Sequence, residues 1–468
     1  MKHNKRKRRY IIWDCFAVLA AWFSFNIFRY NLLPLDEVYG SFWGFVSTPR
    51  VIAGQIVFPS VFMFVFYLSG YYNRPLLKSR LDEFFTTLFS VIIGVLGILF
   101  MSLLNKYIYT QYNYKLVSAL FTIVFAFVYT GRAIITSHIT NLIHNRVIGF
   151  KTLIIGCGES AVRLASVISN SKRSLGYDII GYVGKEGEKC KEDKLPLFSF
   201  ENLEETIKEQ GIEELIVSPA THDARKTYEL INSLYRFDLP IFLEANEYEM
   251  LTSRIKLSNI YGTPLIDVSV CSLSDSQKNI KRFCDVLFSS LALIILSPLF
   301  LYLYFRIKLT SKGGVIYKQR RVGYRRKEFT MYKFRTMVEN AESGTPMLSD
   351  YNDPRITRFG QWMRKYRVDE LPQFWNVIKG DMSIVGPRPE RKYFVDKIVE
   401  RVPYYSLLHQ VRPGITSWGM VNFGYARNVD EMIARLKYDI LYLENMSLII
   451  DMKIVFYTIK IVFTGRGI

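Results

Sequence analysis

An adjacent pair of carboxylates, Asp369-Glu370, stands in the last third of the 468-residue chain, among turns that carry arginine. Upstream, Lys318, Arg320, Arg321, Arg325, Arg326, Lys327, Lys333 and Arg335 crowd one short stretch. Asp353-Pro354-Arg355, Asp369-Glu370-Leu371-Pro372-Gln373, Gly380-Asp381, Gly386-Pro387-Arg388-Pro389-Glu390 and Arg412-Pro413-Gly414 follow in that order. A guanidinium fork pairs bidentately with phosphate oxygens, so arginines held in glycine and proline turns describe a phosphate cradle. A basic face resting on anionic lipid is the competing reading; it accounts for the lysines better than for arginines locked beside acids. Of five histidines (His3, His138, His144, His222 and His409) only the last falls in this third, so neither a serine–histidine–acid triad nor a histidine metal cluster is indicated. Cysteines 15, 157, 190, 271 and 284 form no CxxC pair, which argues against a disulfide framework or a cysteine zinc site. What remains is chemistry run on carboxylates and arginines with a hard cation. Mg²⁺ suits, because it binds one or two carboxylates together with substrate phosphates.

The elements that must position these residues begin in a membrane. The chain is 50% hydrophobic and 15% aromatic, too oily for an ordinary soluble domain and far from a disordered one. Its formal charge of +19 points to an anionic surface or phosphate-bearing substrates, with nucleic acid as a competing explanation. Four apolar runs, near Tyr10–Phe28, Val51–Gly70, Phe84–Leu104 and Leu116–Ile135, each approach the roughly 20 residues that a helix needs to cross hydrocarbon. The first carries Asp14 and lacks a small-residue cleavage site, so it reads as a membrane helix rather than a signal peptide. Asp14 itself is expected near the headgroups or facing another helix. Lys2, Lys5 and Arg6 before the first run, and Arg74, Lys78 and Arg80 between the second and third, put the N-terminus and that link in the cytoplasm. A fifth run, Val286–Phe305, has Lys281 and Arg282 on one side and Arg306, Lys308 and Lys312 on the other, with Ser297-Pro298 in its middle. Proline removes a backbone donor and breaks or kinks a helix. A helix that enters the bilayer, breaks and returns fits both facts; a fifth full crossing is the alternative.

Between the membrane segments and the acid pair, alternating strand and helix patterns predict an α/β unit with a parallel sheet. Strands are expected at Thr152–Ile155, Ile179–Val183, Glu214–Val217 and Leu239–Leu243, with helices to about Ile168, over Leu203–Gln210 and over Ala224–Tyr235. Gly156, Gly158 and Ala161 fit GxGxxA after the first strand, a turn that can bring backbone to a pyrophosphate at a helix N-terminus. Glu186 is an approximate match to a ribose-binding acid. The plainer reading is a regulatory or assembly domain whose glycines only make a tight turn. Cys157 in that turn reads as a small buried residue.

The ordered motifs of the last third resemble the bacterial sugar transferase family, the monotopic polyprenyl-phosphate phosphoglycosyl transferases. They are Lys281-Arg282-Phe283-Cys284-Asp285, Gln319-Arg320-Arg321-Val322-Gly323, Tyr332-Lys333-Phe334-Arg335-Thr336-Met337, the run from Asp353 to Gly360, Asp369 to Gln373, Gly380 to Glu390, and Arg412 to Thr416. The whole chain is similar to the long form of that family. The resemblance implies four N-terminal transmembrane helices (1–146), a Rossmann-like α/β middle domain (147–270), and a re-entrant membrane helix with a mainly α cytoplasmic catalytic domain (271–468). The re-entrant helix would break at Ser297-Pro298. The place would be the cytoplasmic face of the bacterial inner membrane.

The resemblance further implies a two-step transfer. Asp369 attacks the sugar-bearing phosphorus of a UDP-sugar and UMP leaves; undecaprenyl phosphate then takes the phosphosugar. Such a step starts lipid-linked assembly of a capsule, exopolysaccharide or O-antigen. Aspartyl phosphates are established intermediates, and cations around the phosphate lower the barrier to anionic attack. Glu370 is the expected Mg²⁺ ligand; Arg320, Arg355, Arg388 and Arg412 are the candidate phosphate contacts. Pro387 and Pro389 would stiffen the loop presenting Arg388. Asp381 would shape that loop or help at the metal, and Gln373 would support the pair. Asp285 is expected to anchor the membrane segment through a basic neighbour. The chain departs from the family around Arg364–Val368 and at Met420, where glutamine is common, and these differences bear on substrate fit. Met446–Phe463 reads either as an amphipathic surface helix or as domain core. Membrane lipid and a homodimer are expected partners, nucleic acid is not. The alternative function is a non-catalytic membrane scaffold or nucleotide sensor, which has no need of a reactive acid.

Overall fold

The computed structural model describes residues 2–73, 80–104, 113–171, 174, 176–184, 195–219, 224–237, 239–244, 265–268, 273–310, 313–338 and 353–464. Arg74, Lys78, Glu186, His222 and Lys312 lie outside the described residues. The chain divides into two compact units, one of residues 1–148 with 274–280, the other of 149–273 with 281–468.

The first unit is built on four long helices: α1 (Lys2–Leu32), α2 (Pro49–Leu68), α3 (Arg80–Leu104) and α4 (Asn113–His144). All four are long and apolar enough to cross a membrane. A helix suits hydrocarbon because it satisfies its own backbone polar groups. Val18, Trp22, Phe62, Phe66, Val91, Val95, Val124 and Val128 make the core, while Ile12, Phe16, Ile56, Phe89 and Ile93 point outward. Asp14 does face another helix. Arg132 of α4 donates from Nε to its Oδ1 at 2.9 Å and from Nη2 to its Oδ2 at 2.7 Å, with both side chains fully buried. Tyr72 donates to Asp14 Oδ2 at 2.7 Å, and Arg132 Nη1 reaches Thr87 Oγ1 at 3.0 Å. Close by, Glu83 accepts from Tyr71 and, at 2.5 Å, from Thr136.

The second unit begins with a six-stranded sheet. In chain order come β1 (Phe150–Ile155), α5 (Glu159–Asn170), β2 (Tyr177–Gly184), β3 (Leu197–Ser199), α6 (Leu203–Gln210), β4 (Glu214–Val217), α7 (Ala224–Leu234), β5 (Ile241–Glu244) and β6 (Leu265–Asp267). The strand order is β3-β2-β1-β4-β5-β6, parallel throughout except for the antiparallel β6. Successive side chains of a strand point to opposite faces. Accordingly Leu153, Ile155, Leu215 and Val217 pack with Leu203 and Leu234 of α6 and α7, while Ile154, Ile216 and Tyr182 pack with Ala161 and Leu164 of α5. Helices thus cover both faces, as nearly continuous apolar strands require.

The fifth apolar run is two helices, α8 (Asp275–Ile295) and α9 (Ser297–Thr310), bent by 61° where Ser297-Pro298 begins the second. Then come the antiparallel hairpin β7 (Ile316–Val322) and β8 (Glu328–Phe334), α10 (Arg358–Lys365), α11 (Gln373–Lys379), β9 (Ser383–Val385), α12 (Lys392–Arg401), β10 (Gly414–Thr416), α13 (Trp418–Asn422), α14 (Val429–Glu444) and α15 (Leu448–Thr464). Short β9 and β10 pair in parallel. Phe394, Ile398, Leu436, Tyr442 and Leu443 form the main core of this helical region. In α15 both expectations are met in part: Ile454 is buried and Asp451 is bound into the domain, while Ile449, Met452, Phe456 and Phe463 are exposed.

Candidate functional site

The acid pair sits on a 3₁₀ turn, Val368–Glu370. Arg367, at φ 52°, ends the approach from α10 by taking a left-handed conformation, uncommon outside glycine and typical of positions held by their surroundings. On the far side, α11 is bolted to β8. The wholly buried Asn376 accepts from the Tyr332 amide at 3.0 Å and donates to the Thr330 carbonyl at 2.7 Å. These two links set the pair against Lys333 of β8.

The two acids have different surroundings. Glu370, 4% exposed, accepts from Lys333 Nζ at 3.0 Å, lies 3.7 Å from the Nη1 atoms of both Arg367 and Arg388, and is 3.4 Å from the Tyr425 hydroxyl. Asp369, 7% exposed, takes no hydrogen bond or ion pair from the described residues. Burial, then the Glu370 charge, push the Asp369 carboxyl up; Lys333, Arg364 and Arg367 oppose them without prevailing. Burial also pushes Glu370 up, but there Lys333, Arg388 and Arg367 prevail and hold it well below the usual carboxylate range. One acid is therefore a fixed anion inside a cage of cations. The other is a buried carboxyl with no hydrogen-bonding or ionic partner among the described residues.

Arg388 arrives on a loop fastened along both sides. Gly386 N–H donates to the Thr416 carbonyl at 3.0 Å and Gly414 N–H to the Pro387 carbonyl at 2.9 Å. Arg321 donates to the Pro389 carbonyl at 3.0 Å and to Glu390 at 2.9 Å, and Arg435 holds the other Glu390 oxygen at 2.8 Å. Pro387 and Pro389 are both buried. Met420, the departure from the family pattern, is buried with its sulfur 4.0 Å from Arg435 Nη1.

Strand β9, which leads into this loop, is held by the start of the bent helix pair. Asp285 accepts from Ser383 Oγ at 2.7 Å and from the Ile384 amide at 3.1 Å. Its direct anchor is thus a hydroxyl and a backbone N–H; the basic neighbour Lys281 donates instead to Asp451 at 2.6 Å and to the Val385 carbonyl at 2.9 Å. Arg282 caps α11 through the Val377 and Ile378 carbonyls at 2.7 and 3.0 Å.

Of the four arginines singled out by sequence, Arg388 joins the acid pair. Arg355 is clamped by Asp353, with Nη2 to Oδ2 at 2.5 Å. Arg320 is 84% exposed on β7, 3.7 Å from Glu328. Arg412 is exposed and donates to the Gly380 carbonyl at 3.0 Å. Asp381 bonds Asn376 at 3.3 Å and stays with the turn after α11. Gln373 is buried directly after the pair, and its Nε2, like Arg367 Nε, has no partner among the described residues. Lys333 was legible as a member of a basic stretch and of a motif, Arg364 and Arg367 only within the departure at Arg364–Val368, and Tyr425 carried no sequence signal.

Among the described residues no group of three or more histidines, cysteines or acids converges. Asp369 and Glu370 are adjacent hard oxygen donors of the kind that Mg²⁺ takes together with waters and substrate phosphates. In the sheet domain, Gly156 has φ 130°, and a Cβ there would lie 2.3 Å from the Ser218 carbonyl oxygen. Its glycine is required by the packing of β1 against β4, whatever else the turn does. Gly158 caps α5 and Ala161 is buried beneath it. Ser218 donates to Glu244 at 2.6 Å, leaving an acid at the strand ends.

Residues 276–465 match the family model described as bacterial sugar transferase, and residues 67–243 match one described as a CoA-binding domain. The UDP-N-acetylgalactosamine-undecaprenyl-phosphate N-acetylgalactosaminephosphotransferase of Aeromonas hydrophila is 41% identical over 229 residues, 49% of this chain and 53% of that protein. The UDP-glucose:undecaprenyl-phosphate glucose-1-phosphate transferase of Escherichia coli K12 is 30% identical over 271 residues, 58% of each chain. The chain thus spans a little over half the length of these two curated relatives. The undecaprenyl-phosphate galactose phosphotransferase of Salmonella typhimurium LT2 is 30% identical over 339 residues, 68% of this chain and 69% of that protein. With that breadth of likeness added to the ordered motifs around Asp369, the chain belongs to the bacterial sugar transferase family.

Proposed function

We propose that the chain transfers a sugar-1-phosphate from a UDP-sugar to undecaprenyl phosphate through a covalent phosphosugar on Asp369. The observation that carries this reading is the contrast between the two buried acids: Glu370 is caged by Lys333, Arg367 and Arg388, while Asp369 beside it is free of partners among the described residues. In the first step an Asp369 carboxylate oxygen forms a bond to the sugar-bearing phosphorus. The bond from that phosphorus to the bridging oxygen breaks, and UMP leaves with the electron pair. In the second step a phosphate oxygen of the polyprenyl carrier attacks the same phosphorus and restores the carboxylate. Lys333, Arg364, Arg367 and Arg388 face the charge that builds on the phosphoryl oxygens. Glu370 would hold Mg²⁺, leaving Asp369 for the attack on phosphorus. When bound, the ion supplies further neutralisation of the diphosphate.

The wider architecture is consistent with this chemistry. The sheet order β3-β2-β1-β4-β5-β6 supports a Rossmann-like middle domain. The 61° bend at Ser297-Pro298, with basic residues at both ends of the pair, supports a re-entrant helix and a catalytic region on the cytoplasmic face. The proposed divisions are 1–146, 147–270 and 271–468. A nucleotide sugar and the phosphate end of a lipid carrier both meet at that face.

The test is UMP release by full-length protein in detergent, with Mg²⁺, undecaprenyl phosphate and a panel of UDP-sugars. Release with one donor, abolished by EDTA and by Asp369→Asn, is the expected result. Folded protein that releases no UMP from any donor, and assembles normally as the Asp369→Asn variant, would favour the scaffold reading instead.

A further inference from the structure

Tyr425 lies 55 residues from Glu370 in the chain, yet its hydroxyl comes within 3.4 Å of a Glu370 oxygen. Its ring takes two guanidinium groups: the Arg388 centre lies 4.7 Å and the Arg367 centre 5.1 Å from the ring centroid. These are the same two arginines that flank Glu370 at 3.7 Å each. Like charges so placed repel, and the negative face of an aromatic ring offsets part of that repulsion.

The segment that carries Tyr425 is pegged at both ends. Gly424 turns the chain at φ 88°, and its amide reaches back to the Gly419 carbonyl at 3.2 Å. Asn428 caps α14 by accepting from the Glu431 amide at 2.8 Å, while Glu431 Oε2 takes the Arg427 amide at 2.7 Å. Such a reciprocal cap fixes the entry into a helix. Gly419, at the base, is fastened to Asp439 at 3.1 Å. A half-buried tyrosine on so fixed a segment can hold its neighbours in one place.

We propose that Tyr425 is a positioning residue that fixes the Arg388 guanidinium beside the acid pair and so sets the affinity of the site for the phosphate of its nucleotide. The inference rests on the phosphotransferase reading. A phosphate entering the site draws Arg388 away from Glu370. The aromatic face remains a partner through that exchange because it does not compete for the hydrogens of the fork.

The experiment measures UMP affinity and UMP release on full-length wild type, Tyr425→Phe, Tyr425→Leu, Tyr425→Gln, Arg388→Ala and the double variants that join Arg388→Ala to each non-aromatic change. Loss of the ring should weaken UMP binding about tenfold, with Tyr425→Phe within about threefold of wild type. In the Arg388→Ala background the same losses should shrink to less than about twofold, since the residues act as one unit. Using two non-aromatic variants guards against one that does not fold. Equal losses with and without Arg388, or no loss in either non-aromatic variant, would overturn the inference. Wild type that neither binds UMP nor releases it would instead sink the phosphotransferase reading.

Discussion

The molecule buries two clusters of charge, and they differ in how completely they are satisfied. In the helical bundle, Arg132 uses Nε, Nη1 and Nη2, and every oxygen of Asp14 and Glu83 accepts a hydrogen bond. The Arg132 guanidinium also lies 3.6 Å from the Tyr71 ring centroid and 4.2 Å from that of Phe66. At the acid pair, Lys333, Arg364, Arg367 and Arg388 surround two carboxylates, one of them without a partner among the described residues, and Arg367 Nε and Gln373 Nε2 are buried without one. A closed cluster specifies a structure. One with a partner-free acid and buried donors left over is what the proposed phosphate transfer requires.

The largest effect is expected at the acid without a partner. Asp369→Asn should cut UMP release by at least about a thousandfold, as loss of a nucleophile does elsewhere, while leaving thermal unfolding in detergent near that of wild type. Arg132→Leu should do the reverse. Removing one partner strands buried Asp14 and should cost about 3–5 kcal/mol of stability, read from unfolding in detergent, and a compensating Asp14→Leu should recover much of it.

A pH profile sharpens the contrast between the two acids. Asp369 must be ionised to attack, and burial together with Glu370 raises its pKa. The rate should therefore rise with pH through that raised value and level off above it. Glu370→Gln removes a neighbouring negative charge, so the acid limb of whatever activity remains should move to lower pH. A limb that stays in place would mean that another group governs it. The smallest effect is expected at the anchor beneath β9. Asp285→Asn exchanges a charged acceptor of two hydrogen bonds for a weaker one and should lower kcat by about tenfold or less, with KM for the donor little changed.

Much of this was legible in the sequence, for reasons that differ by region. The four apolar runs were plain because a helix in hydrocarbon needs length and composition. The strands at Thr152–Ile155 and Glu214–Val217 stood out because both faces of the sheet are covered, which makes Leu153 to Ile155 and Leu215 to Val217 unbroken apolar runs. Leu197–Ser199 and Leu265–Asp267 escaped notice, since three residues carry too little pattern. At the site, the acid pair and Arg388 were visible as motifs. Lys333, 37 residues from Glu370, and Tyr425, 55 residues from it, reach the pair only through the tertiary fold, and no spacing rule foretells that. Conversely, Arg320 sits in a motif on β7 and Arg412 in a motif turn, but a motif does not reveal which way its guanidinium faces, and both are exposed.

The proposed transfer requires that Asp369 become covalently modified. Its most direct test is intact-mass measurement of full-length protein mixed with its UDP-sugar and Mg²⁺ in the absence of the lipid acceptor. A mass increase equal to one phosphosugar is expected, mapped to the peptide containing Asp369, absent from Asp369→Asn, and discharged when undecaprenyl phosphate is added. Turnover that needs both substrates together, with no adduct at any time, would contradict it.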